Sequence, residues 1–245
     1  MNGEQWIDPE ISRLREMNLE RRLVMYPSSG GKLSIGDRSY LNFSSNDYLD
    51  FANHPLVIQT AAEAAERYGM GSGSSRLLTG TLDIHDELEG RIAGYKGYPA
   101  ALLFGSGYMT NAGVVPSLVG RHDSVFADRL AHASILDAVT LSRAPLHRFR
   151  HNDVGHLNDL LARQGRGKKL VITESVFSMD GDIAPLREIA DVAEHHEAML
   201  MVDEAHATGV FGPQGSGLIR EHSLERSVNI SMGTLSKALG SFGGF

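Results

Sequence analysis

Leu170-Val171-Ile172-Thr173 and Met199-Leu200-Met201-Val202 decide the fold. Each is a short apolar run without polar alternation, as a strand covered on both faces requires. Between them Leu186, Ile189, Ala190 and Ala193 recur at helical spacing, and Pro185 stands where a first helical turn accepts it. Strand, helix and strand in that order form a βαβ unit. The same alternation repeats outward. Ala100–Phe104, Ser124–Ala127, Leu146–Phe149 and Val228–Met232 are further runs expected to be buried on both faces. Val57, Ala61, Ala64, Ala65 and Tyr68 form another helical stripe behind Pro55. The fold class is therefore α/β, with a mostly parallel, doubly wound sheet. Ligands collect at the carboxyl ends of such strands, so the polar residues there are the ones to inspect.

The first 45 residues read differently. Ile11, Leu14, Leu19 and Leu23 lie on a charged amphipathic segment, and Lys32–Ile35 and Ser39–Phe43 flank Gly36-Asp37, a hairpin signal. The chain thus divides into residues 1–45 and 46–245. Its 245 residues, 42 % hydrophobic and 22 % charged, suit an ordinary globular protein. The net charge of −7 argues against a nucleic-acid face. With no cysteine, disulfides and thiolate sites are excluded. Met1–Glu20 has no signal-type apolar core and no run reaches spanning length, so no membrane partner and a cytoplasmic location are expected.

Four strand ends and one late lysine carry the chemistry. After Ala100–Phe104 comes Gly105-Ser106-Gly107-Tyr108 before a helical pattern. Small residues at a helix start make a phosphate cradle, although a tight turn between strand and helix has the same composition. Tyr108 offers a hydroxyl or a ring. After Ser124–Ala127, His132 opens a helix, where it either stacks on a flat ligand or caps the helix. After Leu170–Thr173, the loop Glu174–Asp182 holds several acceptors, and Ser178 is its candidate. Its Asp180-Gly181-Asp182 lacks the spacing of a calcium loop and reads as turn chemistry, so no metal is expected.

After Met199–Val202 comes Asp203-Glu204-Ala205-His206. An aspartate there can pair with a protonated pyridine nitrogen, with His206 beside it for a phenolic oxygen. The same four letters mark some ATPases, but no G-x-x-x-x-G-K-[ST] loop accompanies them. Finally, Gly233-Thr234-Leu235-Ser236-Lys237-Ala238 sets an amine among small hydroxyl residues. An amine can form an imine with an aldehyde while hydroxyls and backbone N–H groups hold a phosphate, which points to pyridoxal phosphate (PLP).

On these stretches the chain resembles the α-oxoamine synthases, PLP enzymes of the aspartate-aminotransferase fold (fold type I), and within them the biotin-synthesis members. Leu41-Asn42-Phe43-Ser44-Ser45-Asn46-Asp47-Tyr48-Leu49, Gly71-Ser72-Gly73-Ser74-Ser75-Arg76 and Ala131-His132-Ala133-Ser134 match that pattern. So do Val176–Asp182, Val202–Val210 and the Lys237 run. The resemblance implies that Lys237 carries the cofactor and moves the substrate α-proton, that Asp203 pairs with the ring nitrogen, and that His206 meets its phenolic oxygen. It implies that His132 stacks on the ring and helps place the substrate, that Gly107, Tyr108 and Thr234 serve the phosphate, and that Ser178 contacts the ring. Arg21 and Asn46 would face the substrate, with Arg22 adjacent to Arg21. The Gly71–Ser75 loop would reach a partner subunit's phosphate, implying a homodimer. The implied reaction condenses L-alanine with an acyl-CoA, pimeloyl-CoA being expected, with loss of CO2. Glycine-using members, or a non-catalytic remnant, are the alternatives. Family members continue past the position of Phe245 into a small domain bearing a carboxylate-binding arginine. The polypeptide as written is therefore expected to have an incomplete large domain and to be unstable or inactive.

Overall fold

A computed structural model describes residues 3–29, 31–165 and 167–245. Gly30, part of the Gly30-Gly31-Lys32 run, lies outside the described residues. Two compact units emerge, Met1–Phe43 and Ser44–Phe245.

The first unit begins with α1 (Ile7–Glu16), whose Asp8 and Glu10 lie in the first turn and Arg13 and Arg15 in the last, in the sense the helix dipole favours. The helix stops before Leu19 and Leu23, which the amphipathic reading had included; Asn18 adopts a left-handed φ of 54° and ends it. Three short strands follow: β1 (Ser28–Ser29), β2 (Lys32–Ile35) and β3 (Arg38–Leu41). The expected hairpin is present, with Ile35 opposite Arg38 around Gly36 at φ 58°.

The second unit holds a five-stranded sheet in the order β5-β4-β6-β7-β8, with every neighbouring pair parallel. Its strands are β4 (Ser124–Asp128), β5 (Leu146–Phe149), β6 (Lys169–Glu174), β7 (Met199–Asp203) and β8 (Ile230–Met232). Helices α2 (Pro55–Tyr68), α3 (Asp83–Lys96) and α4 (Gly107–Leu118) precede the sheet. Within it run α5 (Ala133–Ser142), α6 (Val154–Gln164), α7 (Leu186–His195) and the short α8 (Leu218–Glu221).

Successive strand residues feed two cores. Phe126, Val171, Leu200 and Val202 pack with Leu157 and Leu161 of α6 and Leu186 and Ile189 of α7. Val125, Ala127, Leu170, Ile172 and Met201 pack with Val115 of α4 and Ile135 of α5. A sheet covered on both faces needs apolar residues at every position, which explains the unalternating runs. The architecture is the expected α/β one, a parallel, doubly wound sheet.

Two runs behave differently from their reading. Leu146–Phe149 forms the edge strand β5, so Leu146 and Arg148 are exposed and only Phe149 is fully buried. Ala100–Phe104 is no regular strand. Only Phe104 is bridged, antiparallel to Gly244, which is also bridged to Thr234. An apolar run becomes a strand only where a neighbour offers its backbone groups, and here one residue does so.

Candidate active site

The strand order reverses at β4, which has β5 on one side and β6 on the other. At the carboxyl ends of β4, β6, β7 and β8 lies a cavity of about 280 Å³. Its wall brings together Ser106, Gly107, Tyr108, His132, Asp203, His206, Thr234 and Lys237. Eight residues expected from sequence therefore meet in one place.

Ser106 caps α4, its hydroxyl accepting the Met109 N–H at 3.2 Å, and Gly107 is the first helical residue. First-turn N–H groups lack helical partners and suit an anion. A Cβ on Gly107 would sit 3.1 Å from the Met232 methyl and 3.4 Å from Thr234 Cβ, so glycine keeps this corner open. Thr234 closes its own turn, donating to Gly243 O at 2.8 Å and accepting Ser236 N–H at 3.1 Å. Tyr108 is half exposed and donates its hydroxyl to Asp137 at 2.8 Å, a bond that raises its pKa.

The capping reading of His132 holds. Its Nδ1 accepts the Ser134 N–H at 3.2 Å and so caps α5, while the residue also lines the cavity. A chain of hydrogen bonds fixes it. Asn111 Nδ2 reaches Asp203 Oδ2 at 3.3 Å and Ser134 Oγ at 2.9 Å, and Ser134 Oγ lies 2.8 Å from His132 Nδ1. With Nδ1 accepting, the proton of a neutral ring sits on Nε2.

Asp203 ends β7 at 5 % exposure. Its hydrogen-bond partners among the described residues are neutral: Asn111 and the Ala205 N–H at 2.9 Å. A buried carboxylate without a cation in hydrogen-bond contact is costly, and a protonated pyridine nitrogen would relieve it. Lys237 Nζ lies 2.6 Å from His206 Nε2. Burial pulls the Lys237 pKa down, against the opposing pull of Asp203 and Glu174. Burial, with the Lys237 charge second, pushes His206 down to about 4. His206 is thus a neutral acceptor beside a depressed amine. An anion cradle, a buried carboxylate and an amine in one cavity fit PLP.

Two expected residues, Ser178 and Asn46, are not in the cavity wall. Ser178 is exposed and does not line the cavity, because the turn closed by Gly181 N–H to Phe177 O buries Phe177 and turns Ser178 outward. Asn46 is exposed too, but its Oδ1 accepts from the Tyr48 hydroxyl at 3.4 Å, and that hydroxyl is 2.7 Å from His206 Nδ1. Arg21 lies in the first unit on non-helical backbone with its side chain exposed, while Arg22 is ion-paired with Glu20 at 2.7 Å.

Sequence reasoning missed Tyr48, Asn111, Ser134 and Glu174 as site residues. Glu174 ends β6 opposite Asp203 in register, lines the cavity, and accepts the His132 N–H at 2.7 Å. Burial, then the Asp203 charge, raises its pKa to about 8. The strand-end rule that found Asp203 selects Glu174 equally. Asn111 follows Gly107 by one helical turn, so it faces the same way.

Behind Asp203, Glu204 turns the other way and meets Lys96 of α3. Both side chains are buried and their charged atoms are 2.5 Å apart. Lys96 Nζ also donates to Ser216 O at 2.8 Å and Thr208 Oγ1 at 3.2 Å, and Glu204 Oε1 accepts the Ile219 N–H at 3.0 Å.

A family model described as "Aminotransferase class I and II" matches residues 38–245. The 8-amino-7-oxononanoate synthase of Anaeromyxobacter sp. (strain Fw109-5) is 55 % identical over 98 % of this chain and 61 % of its own length. The serine palmitoyltransferase of Sphingomonas wittichii superimposes with a TM-score of 0.91 at 35 % identity, covering all of this chain and 63 % of that one. A serine palmitoyltransferase from S. paucimobilis, solved with bound PLP and myriocin, superimposes with a TM-score of 0.88 at 35 % identity, covering 98 % of this chain and 62 % of that one. The chain therefore spans about three fifths of the length of the relatives it matches. Motif order, cavity chemistry and these likenesses agree: the chain belongs to the aminotransferase class I and II family, whose cofactor is PLP.

Proposed function

We propose that this chain carries the cofactor-binding part of a PLP-dependent acyltransferase that condenses L-alanine with pimeloyl-CoA. The products are 8-amino-7-oxononanoate, CoA and CO2. One observation supports this most. The depressed amine of Lys237 sits 2.6 Å from His206 and shares one cavity with buried Asp203 and the helix start at Gly107. The identity to 8-amino-7-oxononanoate synthases supports the choice of substrates.

Bound PLP supplies an electron sink for charge developing at the amino-acid α-carbon. The protein does the rest. Lys237 anchors the cofactor and moves the α-proton at Nζ, which its burial favours by depressing the ammonium form. Asp203 keeps a proton on the ring nitrogen. Neutral His206 meets the phenolic oxygen, and His132 covers the ring and orients the amino acid. Ser106, Gly107, Tyr108 and Thr234 hold the phosphate. Asn46 and Arg21 serve the substrate.

The enzyme works as a cytoplasmic homodimer, with the Gly71–Ser75 loop reaching the partner's phosphate. A strongly exposed apolar group, Leu56, Ile58, Met70, Leu77 and Leu78, supports a partner face in this region.

The test is CoA release from pimeloyl-CoA by the complete gene product, with the amino ketone identified by mass spectrometry. Alanine is the expected substrate over glycine and serine; preference for either of those would defeat the amino-acid assignment. Lys237→Ala abolishes both the visible absorbance of the bound cofactor and turnover. An absorbing, active variant would sink the assignment of Lys237.

A further inference from the structure

We infer that His151 is a positioning residue: as an imidazolium it clamps Asp128 to Asp182, and through Asp128 it fixes the turn that delivers His132 to the cavity. His151 follows the edge strand β5 and is not part of the cavity wall. Its Nδ1 is 3.0 Å from Asp128 Oδ1, and its Nε2 is 2.8 Å from Asp182 Oδ2. A neutral imidazole has one N–H, so the ring donates to both carboxylates only when doubly protonated. Asn152 Nδ2, 3.3 Å from Nε2, is the one donor among the described residues that a neutral ring would meet there, and it is already engaged with Asp182 at 2.7 Å. The ring stands edge-on to buried Phe177, with centroids 4.5 Å apart, which fixes its orientation.

Each end of the clamp holds a loop beside the site. Asp128 is fully buried at the end of β4. Its carboxylate accepts the Leu130 N–H at 2.8 Å and the Asn152 N–H at 2.9 Å, while its carbonyl accepts the Ala131 N–H at 3.0 Å. Those bonds shape the turn whose next residue is His132. Asp182 lies in the loop after β6; its carbonyl accepts the Phe177 N–H at 3.0 Å and its carboxylate accepts Asn152 Nδ2 at 2.7 Å. The charged groups around the ring are therefore Asp128 from β4, Asp182 from the β6–α7 loop, and neighbouring Arg150, which is paired with Asp153 at 2.7 Å.

Burial alone would lower the His151 pKa, but the two carboxylates outweigh it and the net direction is upward. A folded-state pKa raised above the unfolded value stabilises below the unfolded value and is lost as pH rises through the folded one. The clamp consequently loosens on the alkaline side.

The clamp affects the reaction only if His132 faces PLP as proposed, but its titration stands apart from that reading. In the complete, PLP-loaded protein labelled with nitrogen-15 histidine, His151 is expected to titrate above the ordinary value of about 6.5. Asp182→Asn shifts that titration to lower pH. PLP affinity, followed by absorbance, falls across the same pH window in the unaltered protein. His151→Phe weakens PLP binding about tenfold, as loss of a charged hydrogen bond would, and removes that pH step. A His151 that titrates at or below the ordinary value overturns the clamp, as does PLP affinity unmoved by both variants. If His151→Phe does not fold, the unaltered protein's titration and Asp182→Asn still decide the matter. Failure of the unaltered protein to bind PLP would overturn the reading of the cavity while leaving the titration legible.

Discussion

Replacing Lys96 by methionine isolates the buried pair behind the site. The lysine stem is already packed, so Met fills much of the volume and removes the charge. What remains is Glu204, fully buried, with its carboxylate still accepting the Ile219 N–H at 3.0 Å but no longer facing a cation at 2.5 Å. Breaking a buried pair on one side costs about 3–5 kcal/mol, because the survivor is an uncompensated charge. At roughly 2–4 °C per kcal/mol for a domain of this size, the melting temperature falls by roughly 6–20 °C. The assay is a thermal melt of the complete, PLP-loaded protein at neutral pH, with urea unfolding as a second measure. The double variant Lys96→Met/Glu204→Gln keeps an acceptor for Ile219 and removes the stranded charge. It should recover more than half of the loss, giving a coupling of more than about 1 kcal/mol in the double-mutant cycle. A Lys96→Met loss below about 1 kcal/mol, the range of exposed pairs, would refute the reasoning.

Other outcomes follow from the site. Glu174, raised to about 8 from 4.5, binds its proton more tightly in the folded state. Stability therefore falls with rising pH between those values, and Glu174→Gln should melt progressively higher than the unaltered protein from pH 5 to pH 8. A constant gap across that range would count against a protonated Glu174. Tyr48→Phe removes the hydroxyl 2.7 Å from His206 Nδ1. It should lower kcat/KM about tenfold, as loss of one hydrogen bond to a working group does, with PLP affinity little changed. Unchanged turnover would place Tyr48 outside the reaction.

Much of this was legible in sequence because it is local. A strand buried on both faces must be apolar throughout, so the runs around β4, β6 and β7 announced a parallel sheet, and the residues after them announced Asp203 and His132. The misreadings concern what a run pairs with. Leu146–Phe149 resembles its neighbours, but edge position is set by strand order, which periodicity does not carry. Ala100–Phe104 has strand composition and one bridging residue. Glu174 ends β6 and Ser178 lies four residues on in the loop, and only backbone geometry decides which faces the cavity. Lys96 was illegible for a stronger reason. A lysine in a helix reads as solvated, and it is buried here because Ser216 and Thr208, far along the chain, close around it.

The contacts from Lys237 through His206 and Tyr48 to Asn46 make one unbroken polar row from the cavity wall to an exposed side chain. If Lys237 moves the α-proton as proposed, this row steadies its amine from the exposed side, because His206 is itself held by the Tyr48 hydroxyl.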